Sequence, residues 1–358
     1  MTRRMLVAVL VGAALTLFGL AGTSCARAVS TRTPTTTSRA YAASTGTLPT
    51  STATSSTVPA ARSSSPCGRV SPAPTYRHVI WILEENSSYS SIIGSAGTPY
   101  LASLAQRCGV ASDYHNITHL SLPNYLGLTD GAPLAALSPY LDDCSPSPSC
   151  EVTTTNLYEQ AASAGGWKGY AESMPSNCDR AYAGNYAPRH NPAVYYTDLT
   201  SCSSDDLALG TATDSPLIRD FSSQSTAPAF ALVTPNICDD MHGATGCPNN
   251  LIKTGDSWLE QWIPLVTATP VYRSGDTAIF IVWDEGAGGT LGENCVTNTA
   301  DPSCHVPLVV IAPSVPPGTV FSAFLDHYSL LKTTEDLLGY PELGLARSAM
   351  SMAAGFDL

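Results

Sequence analysis

The sequence predicts an α/β fold built on a mostly parallel central sheet with helices on both faces, and three observations carry that expectation. Four runs are apolar almost without interruption: residues 78–83, 229–235, 278–283 and 306–313. Such β-rich runs, lacking polar alternation, are the signature of strands buried on both faces. Helical patterns are interspersed with them, in "TPYLASLAQRC", "TNLYEQAASA", "DSWLEQWIPLV" and "HYSLLKTTEDLLGY". Strands alternating with helices imply parallel order and cover on both sides. No obvious repeat or second linker interrupts the residues after position 66, so one large domain is expected over 67–358.

The first 66 residues have a different character. Arg3 and Arg4 precede an apolar stretch from Met5 to Ala21 and then small residues, which reads as an export signal over 1–28. The "ARA" at Ala26 to Ala28 fits an A-x-A cleavage site. "AGTSC" loosely resembles a lipobox ending at Cys25, with Gly22 a poor leading residue, so free secretion is expected and a lipoprotein is the alternative. Residues 29–66 are dominated by Ser, Thr, Ala and Pro, a composition that buries too little apolar surface to offset chain entropy. They read as a disordered spacer or leader, with a cell-wall or membrane tether as one use. No later stretch is apolar enough to span a bilayer.

The chain has eleven cysteines, and setting Cys25 aside leaves ten, enough for five bridges in an oxidising compartment. Close spacing suggests Cys144 with Cys150, Cys238 with Cys247, and Cys295 with Cys304, leaving Cys178 with Cys202 and Cys67 with Cys108. Other pairings stay open on spacing alone. The net charge is −12 and only 13% of residues are charged, with no basic run to meet a phosphate backbone. Nucleic-acid binding by general electrostatics is therefore not expected. A phosphorylated substrate would need a local source of positive charge, and a metal ion is the natural one.

The segments directly after the strands carry the chemistry. After the first comes "EEN" (Glu84, Glu85, Asn86), after the second "NICDDMH" (Asn236 to His242), after the third "DEG" (Asp284, Glu285, Gly286). The carboxyl ends of parallel strands share one edge, where ligands bind. One such carboxylate is usually a cap or loop charge. Three clusters converging in a partly desolvated cleft would repel unless a cation sat among them. His305 directly precedes the fourth strand, the wrong end for the same rule, and reaches the site only if the preceding cysteine-bearing loop folds over the edge.

"HLSLPNYLGLTDG" (119–131) reads as a polar turn entering a short helix, with Pro123 in its first turn and Gly131 as its stop. Ser121 then stands at the helix N-terminus, where free N–H groups and the dipole favour a phosphate. An ordinary N-cap serine fits the same pattern.

Taken together, "VIWILEENSSYSSIIG", "THLSLPNYLGLTDG", "PNICDDMH", "VWDEG" and "HVPLVVIAP" resemble, in this order, the secreted bacterial phosphoesterases that include acid phosphatases and non-haemolytic phospholipases C, within the alkaline phosphatase superfamily. The smaller actinobacterial secreted phosphatases, some acting on phosphoinositides, are similar in size. The resemblance spans residues 76 to 345 and implies an alkaline phosphatase-like fold. It implies roles too: "SLPN" resembles the "TFPN" of nucleotide pyrophosphatase-like members, making Ser121 the nucleophile and Asn124 a donor to phosphoryl oxygens. Glu85, Asn86, Asp284 and Glu285 resemble metal ligands. Asp240 and His242 match the "DMH" motif, as ligands or as the acid for the leaving group, and His305 resembles a histidine of the alkaline phosphatase site. This chain departs from the pattern at Ser87, where the family commonly has histidine, and at Leu120, where it commonly has proline.

The implied chemistry is hydrolysis of a phosphate ester through a phosphoserine, on a phosphorylated small molecule or a phospholipid head group. Oxygen ligands suit Ca²⁺ or Mg²⁺, and a histidine brings in Zn²⁺, Mn²⁺ or iron. A phospholipase C or other phosphodiesterase is the alternative within enzymes. A non-enzymatic surface protein holding structural Ca²⁺ is the alternative outside them, and it leaves "SLPN" unexplained.

Overall fold

A computed structural model describes residues 65–358. The expected export signal over 1–28, with Cys25, and all but the last two residues of the expected linker lie outside the described residues. Ten strands form: β1 His78–Glu84, β2 Gly109–Ala111, β3 Tyr114–His115, β4 Trp167–Ala171, β5 Asp206–Ala208, β6 Phe230–Thr234, β7 Thr277–Trp283, β8 Leu308–Ile311, β9 Thr319–Phe321 and β10 Leu325–Asp326. Eight of them make one sheet in the order β5-β4-β6-β1-β7-β8-β2-β9, and β3 pairs with β10. The four long apolar runs became β1, β6, β7 and β8, and the sheet is mostly parallel. Only β8 runs against its neighbours β7 and β2.

Every residue of β1, β6, β7 and β8 is buried, because helices cover both faces. The helices Pro99–Arg107 and Leu251–Thr267 pack together, as do Ser121–Asp130 and His327–Leu338. Their ends follow the sequence signals: Pro99 opens one, Asp326 caps another through Ser329 N, and Gly131 and Gly339 close two in the left-handed conformation. The helix Leu251–Thr267 starts five residues before the pattern seen from Asp256, because Asn250 caps it by accepting from Lys253 N. Strands β2, β4, β5 and β9 have no counterpart among the four apolar runs.

Strand register sets the height of the acidic groups. Glu84 pairs with Trp283 across β1 and β7, so Glu85 and Asp284 leave adjacent strands side by side. Trp81 donates its indole N–H to Thr334 Oγ1 on His327–Leu338. Side chains alternate along a strand, so Glu85, four residues on, points to the face that the Ser121 helix covers. All five expected cysteine pairs form: Cys67–Cys108, Cys144–Cys150, Cys178–Cys202, Cys238–Cys247 and Cys295–Cys304. Among the described residues no helix is long and apolar enough to cross a membrane.

Candidate active site

Ser121 is the first residue of a ten-residue helix that is buried throughout. It is not used as an N-cap: its Oγ donates to Glu85 Oε2 at 3.0 Å. One turn on, Tyr125 donates its hydroxyl to Glu85 Oε1 at 2.5 Å. The i and i+4 positions of one helix thus address both oxygens of one carboxylate. Asn86 Nδ2 also donates to Oε2 at 3.2 Å, and Asn86 N to Asp284 Oδ1 at the same distance.

The loop 236–242 folds back onto this group, with Glu85 N donating to Asp240 O at 2.7 Å. Asp240 Oδ1 accepts from His242 N at 2.8 Å and Oδ2 from His190 Nδ1 at 3.1 Å. His190 Nε2 therefore carries the lone pair. It lies 3.4 Å from Glu85 Oε1 and has no hydrogen-bond partner. Burial, then Arg189 and His242, hold the His190 pKa well below the ordinary value, so the ring is neutral near pH 7. A ring whose other nitrogen is fixed by a carboxylate is oriented as metal-ligating histidines are.

Asp284 Oδ2 is a second unpartnered acceptor in this cluster. Burial first, and then neighbouring carboxylates, push Glu85, Asp240 and Asp284 well above the usual carboxylate range. Glu285 is pushed up to about 8, chiefly by burial. Acceptors crowded this way fit a cation. Ligand atoms of Glu85, His190 and His242 lie within 4.8 Å of one another, and Asp284 adjoins Glu85.

Arg189 is the guanidinium of the cluster. Its Nη2 donates to His242 Nε2 at 3.1 Å, its Nη1 to Tyr182 Oη at 3.2 Å, and its Nε lies 3.6 Å from Asp143 Oδ2. His242 Nδ1 donates to Gly243 O at 2.8 Å, which fixes the tautomer and leaves Nε2 as the acceptor. Burial lowers the His242 pKa, so the ring is neutral near pH 7.

On the other flank His119 Nδ1 donates to Glu285 Oε2 at 2.5 Å, and its Nε2 lies 3.2 Å from Ser303 Oγ. Gly289, at φ +87°, presses its backbone against this ring, and a Cβ there would stand 2.1 Å from His119 Nε2. Gly289→Ala is therefore expected to push His119 off Glu285, lower kcat by about 10²-fold and lower the thermal transition, since alanine is strained at this φ. Unchanged kcat in that variant would show that the His119–Glu285 contact does not shape the site.

Several expected roles change. His305 does stand at the carboxyl edge, because β8 is antiparallel and starts where β1 and β7 end. Yet its ring stacks on Tyr89 at 4.4 Å and near His115 at 5.3 Å, and its Nε2 lies 3.1 Å from Ser112 O, away from the carboxylates. Asn124 does not offer a donor to a phosphoryl oxygen. Its Oδ1 accepts from Ile117 N and Thr118 N, and its Nδ2 donates to Thr118 O and Leu120 O, so the whole amide staples the turn ahead of Ser121. The helix N-terminus is partly taken as well, since Leu122 N donates to Asp143 Oδ1 at 2.9 Å. Asp240 spends both oxygens orienting His190 and His242. Asn86 and Glu285 stand beside the cluster, next to Glu85 and Asp284.

Arg189, His190, Tyr125, His119 and Asp143 escaped the sequence reading. Tyr125 was accessible from its i+4 spacing to Ser121, and His119 opens the motif itself. Arg189 and His190 lie on a single 3-10 turn, Pro188–His190, and Asp143 in a loop, neither with a periodic signal.

A buried serine, carboxylates on one sheet edge, and a histidine and arginine over them, carried on this α/β sheet, belong to a hydrolase acting on phosphoric esters. The chain is a member of the phosphoesterase family, whose pattern matches residues 95–341. It is 28% identical over 279 residues to the phosphatidylinositol-3-phosphatase of Mycobacterium tuberculosis, covering 77% of this chain and 81% of that protein. It is 25% identical to an acid phosphatase of Aspergillus fumigatus over 74% of this chain, and spans 55% of the fungal protein. An alkaline phosphatase superfamily protein from Vibrio parahaemolyticus shares the fold at a TM-score of 0.51 and 12% identity, over 75% of this chain and 67% of that one.

Proposed function

We propose that the chain is a divalent-metal-dependent phosphomonoesterase with Ser121 as its nucleophile, acting outside the cytoplasm. The observation that carries this reading is the Ser121 Oγ to Glu85 bond at the head of a buried helix, beside two orphaned acceptors, His190 Nε2 and Asp284 Oδ2. Glu85, Asp284 and His190 would hold the metal, with Asn86, Glu285, Asp240 and His242 around them. When bound, a divalent ion lowers the pKa of a neighbouring hydroxyl and offsets phosphoryl charge.

The remaining steps belong to the chain's own residues. Ser121 Oγ has a proton acceptor at 3.0 Å and attacks phosphorus as the bond to the leaving oxygen breaks. Arg189, the one guanidinium among these groups, faces the charge on the phosphoryl oxygens. Arg189 turning onto the phosphoryl oxygens frees His242 Nε2, which takes up the proton that Ser121 gave to Glu85 and passes it to the leaving oxygen, and water then hydrolyses the phosphoserine. Two relatives whose names denote phosphatases support the monoester reading, and five disulfides support an oxidising compartment.

A panel of phosphomonoesters, phosphoinositides and p-nitrophenyl phosphorylcholine, assayed with defined metals, tests the substrate class. Faster turnover of the diester than of any monoester would overturn it. His242→Asn tests the acid. It is expected to slow alkyl phosphates by about 10²-fold or more, while p-nitrophenyl phosphate, whose leaving group departs unprotonated, loses far less. Equal losses on both would remove His242 from that role.

A further inference from the structure

Positive charge is scarce in this chain, and most of it is paired. Among the described residues Arg77, Lys168, Arg180, Arg189, Arg219 and Lys332 lie within 4.0 Å of a carboxylate. Arg69, Arg107, Lys253, Arg273 and Arg347 form no such pair. Three of these five, Arg69, Arg107 and Arg273, line one cavity of about 270 Å³ together with Tyr100 and Tyr272. Among the described residues no Asp or Glu lines it.

The cavity lies far from the catalytic cluster. Arg69 precedes β1, Arg107 ends the helix Pro99–Arg107, and Arg273 belongs to the short helix Pro270–Ser274 that leads into β7. Arg69 and Arg273 stand before the amino ends of β1 and β7, whose carboxyl ends lead to Glu85 and Asp284, roughly 20 Å away along a seven-residue strand. A basic residue in the last turn of a helix complements the dipole, and that accounts for Arg107 and Arg273 singly. It does not account for Arg69, which is on no helix, or for three arginines lining one cavity with no described carboxylate within 4.0 Å of them, in a protein of net charge −12.

The donor inventory is largely uncommitted. Arg107 spends Nε on Ser103, with O and Oγ both at 3.2 Å, and also faces the Tyr100 hydroxyl. Arg69 lies over the Tyr272 ring at 5.3 Å and spends one Nη2–H on Tyr272 O at 3.5 Å. The Arg273 guanidinium has no protein partner among the described residues. Each guanidinium has five N–H donors in a planar fork that matches a phosphate edge. The anchoring of Arg69 and Arg107 fixes two of the forks in advance.

We propose that this cavity binds a phosphoryl group, at a site separate from the catalytic one. Two sources offer that chemistry, free inorganic phosphate and a phosphomonoester lipid head group. Calorimetric titration of the full chain with inorganic phosphate, compared with Arg107→Gln/Arg273→Gln, tests the first. Loss of one binding equivalent, or about a hundredfold weakening of it, with p-nitrophenyl phosphate turnover unchanged, is the expected result. Co-sedimentation with phosphatidylcholine vesicles, with and without phosphatidic acid, tests the second, and retention that needs both the acid and the two arginines assigns the lipid head group. Arg273→Gln alone, at an exposed side chain, serves if the double variant does not fold, with about a tenfold weakening expected. Identical isotherms and identical sedimentation for wild type and a folded variant would overturn the proposal. None of these readouts depends on Ser121 chemistry, so a failure here is distinct from a failure of the catalytic reading.

Discussion

Ser121→Ala should lower hydrolysis of p-nitrophenyl phosphate by at least about 10³-fold while leaving the thermal transition almost where it was. The loss follows because the other hydroxyl on that carboxylate does not replace it: Tyr125 is spent on Glu85 Oε1, and its own pKa is pushed well up by burial and by Glu85. The stability is preserved because Ser121 makes one side-chain bond, to Glu85 Oε2, and that oxygen keeps Asn86 Nδ2 at 3.2 Å. Turnover near the wild-type rate in the folded variant would remove Ser121 from the chemistry.

Metal removal should have an effect of similar size on activity, together with an unusual stability profile. Glu85, Asp240 and Asp284 have folded-state pKa values raised well above the ordinary carboxylate value, and Glu285 is raised to about 8, with burial the leading cause in each. For such groups the folded state binds more protons than the unfolded one, so their favourable contribution is present in acid and is lost as pH rises from the unfolded value toward the folded one. Exhaustively chelated protein should therefore be inactive and should lose thermal stability between about pH 4.5 and 8. Adding back a divalent cation should restore activity and cancel that slope. Asp284→Asn removes one of the repelling charges, so its metal-free form should melt higher than metal-free wild type at pH 7.5 while remaining inactive with metal. Full activity in protein shown metal-free by elemental analysis would refute the metal requirement, and a flat melting profile across this range would refute the buried repulsion.

The fold was legible because burial on both faces leaves a mark that needs no tertiary information. The runs at β1, β6, β7 and β8 are apolar along their length, and the polar residues after three of them are the ones the strand ends bring together. The other four strands of the main sheet were not legible for a related reason. Strands β2, β5 and β9 are three residues long, and "WKGYA" of β4 carries Lys168, whose partial exposure breaks the apolar run. The direction of β8 was hidden as well, since nothing local in "LVVI" distinguishes an antiparallel neighbour from a parallel one. That one reversal carries His305 to the right edge, and its stacking on Tyr89 then turns it from the carboxylates. For the site, Glu85 and Asp284 followed from strand ends, whereas His190 and Arg189 depend on the path of a long irregular segment. The commitment of the Asn124 amide was not legible, because nothing in "SLPN" hints that the turn before Ser121 takes four hydrogen bonds from one side chain.

The disulfide pattern bears on how the chain matures. Numbered along the chain after Cys25, the cysteines join first to second, third to fourth and so on, with no bridge crossing or enclosing another. A polypeptide entering an oxidising space N-terminus first therefore presents each thiol with its native partner as the next one to arrive. A simple oxidase that joins consecutive cysteines would produce the correct connectivity during entry, and reshuffling by an isomerase would be unnecessary. The longest wait is for Cys67, whose partner arrives 41 residues later, and the bridge around Asp240 and His242 closes after only nine. The loop that carries those two residues is thus covalently tied off before β7 and β8, which complete the sheet edge beside it, have been delivered.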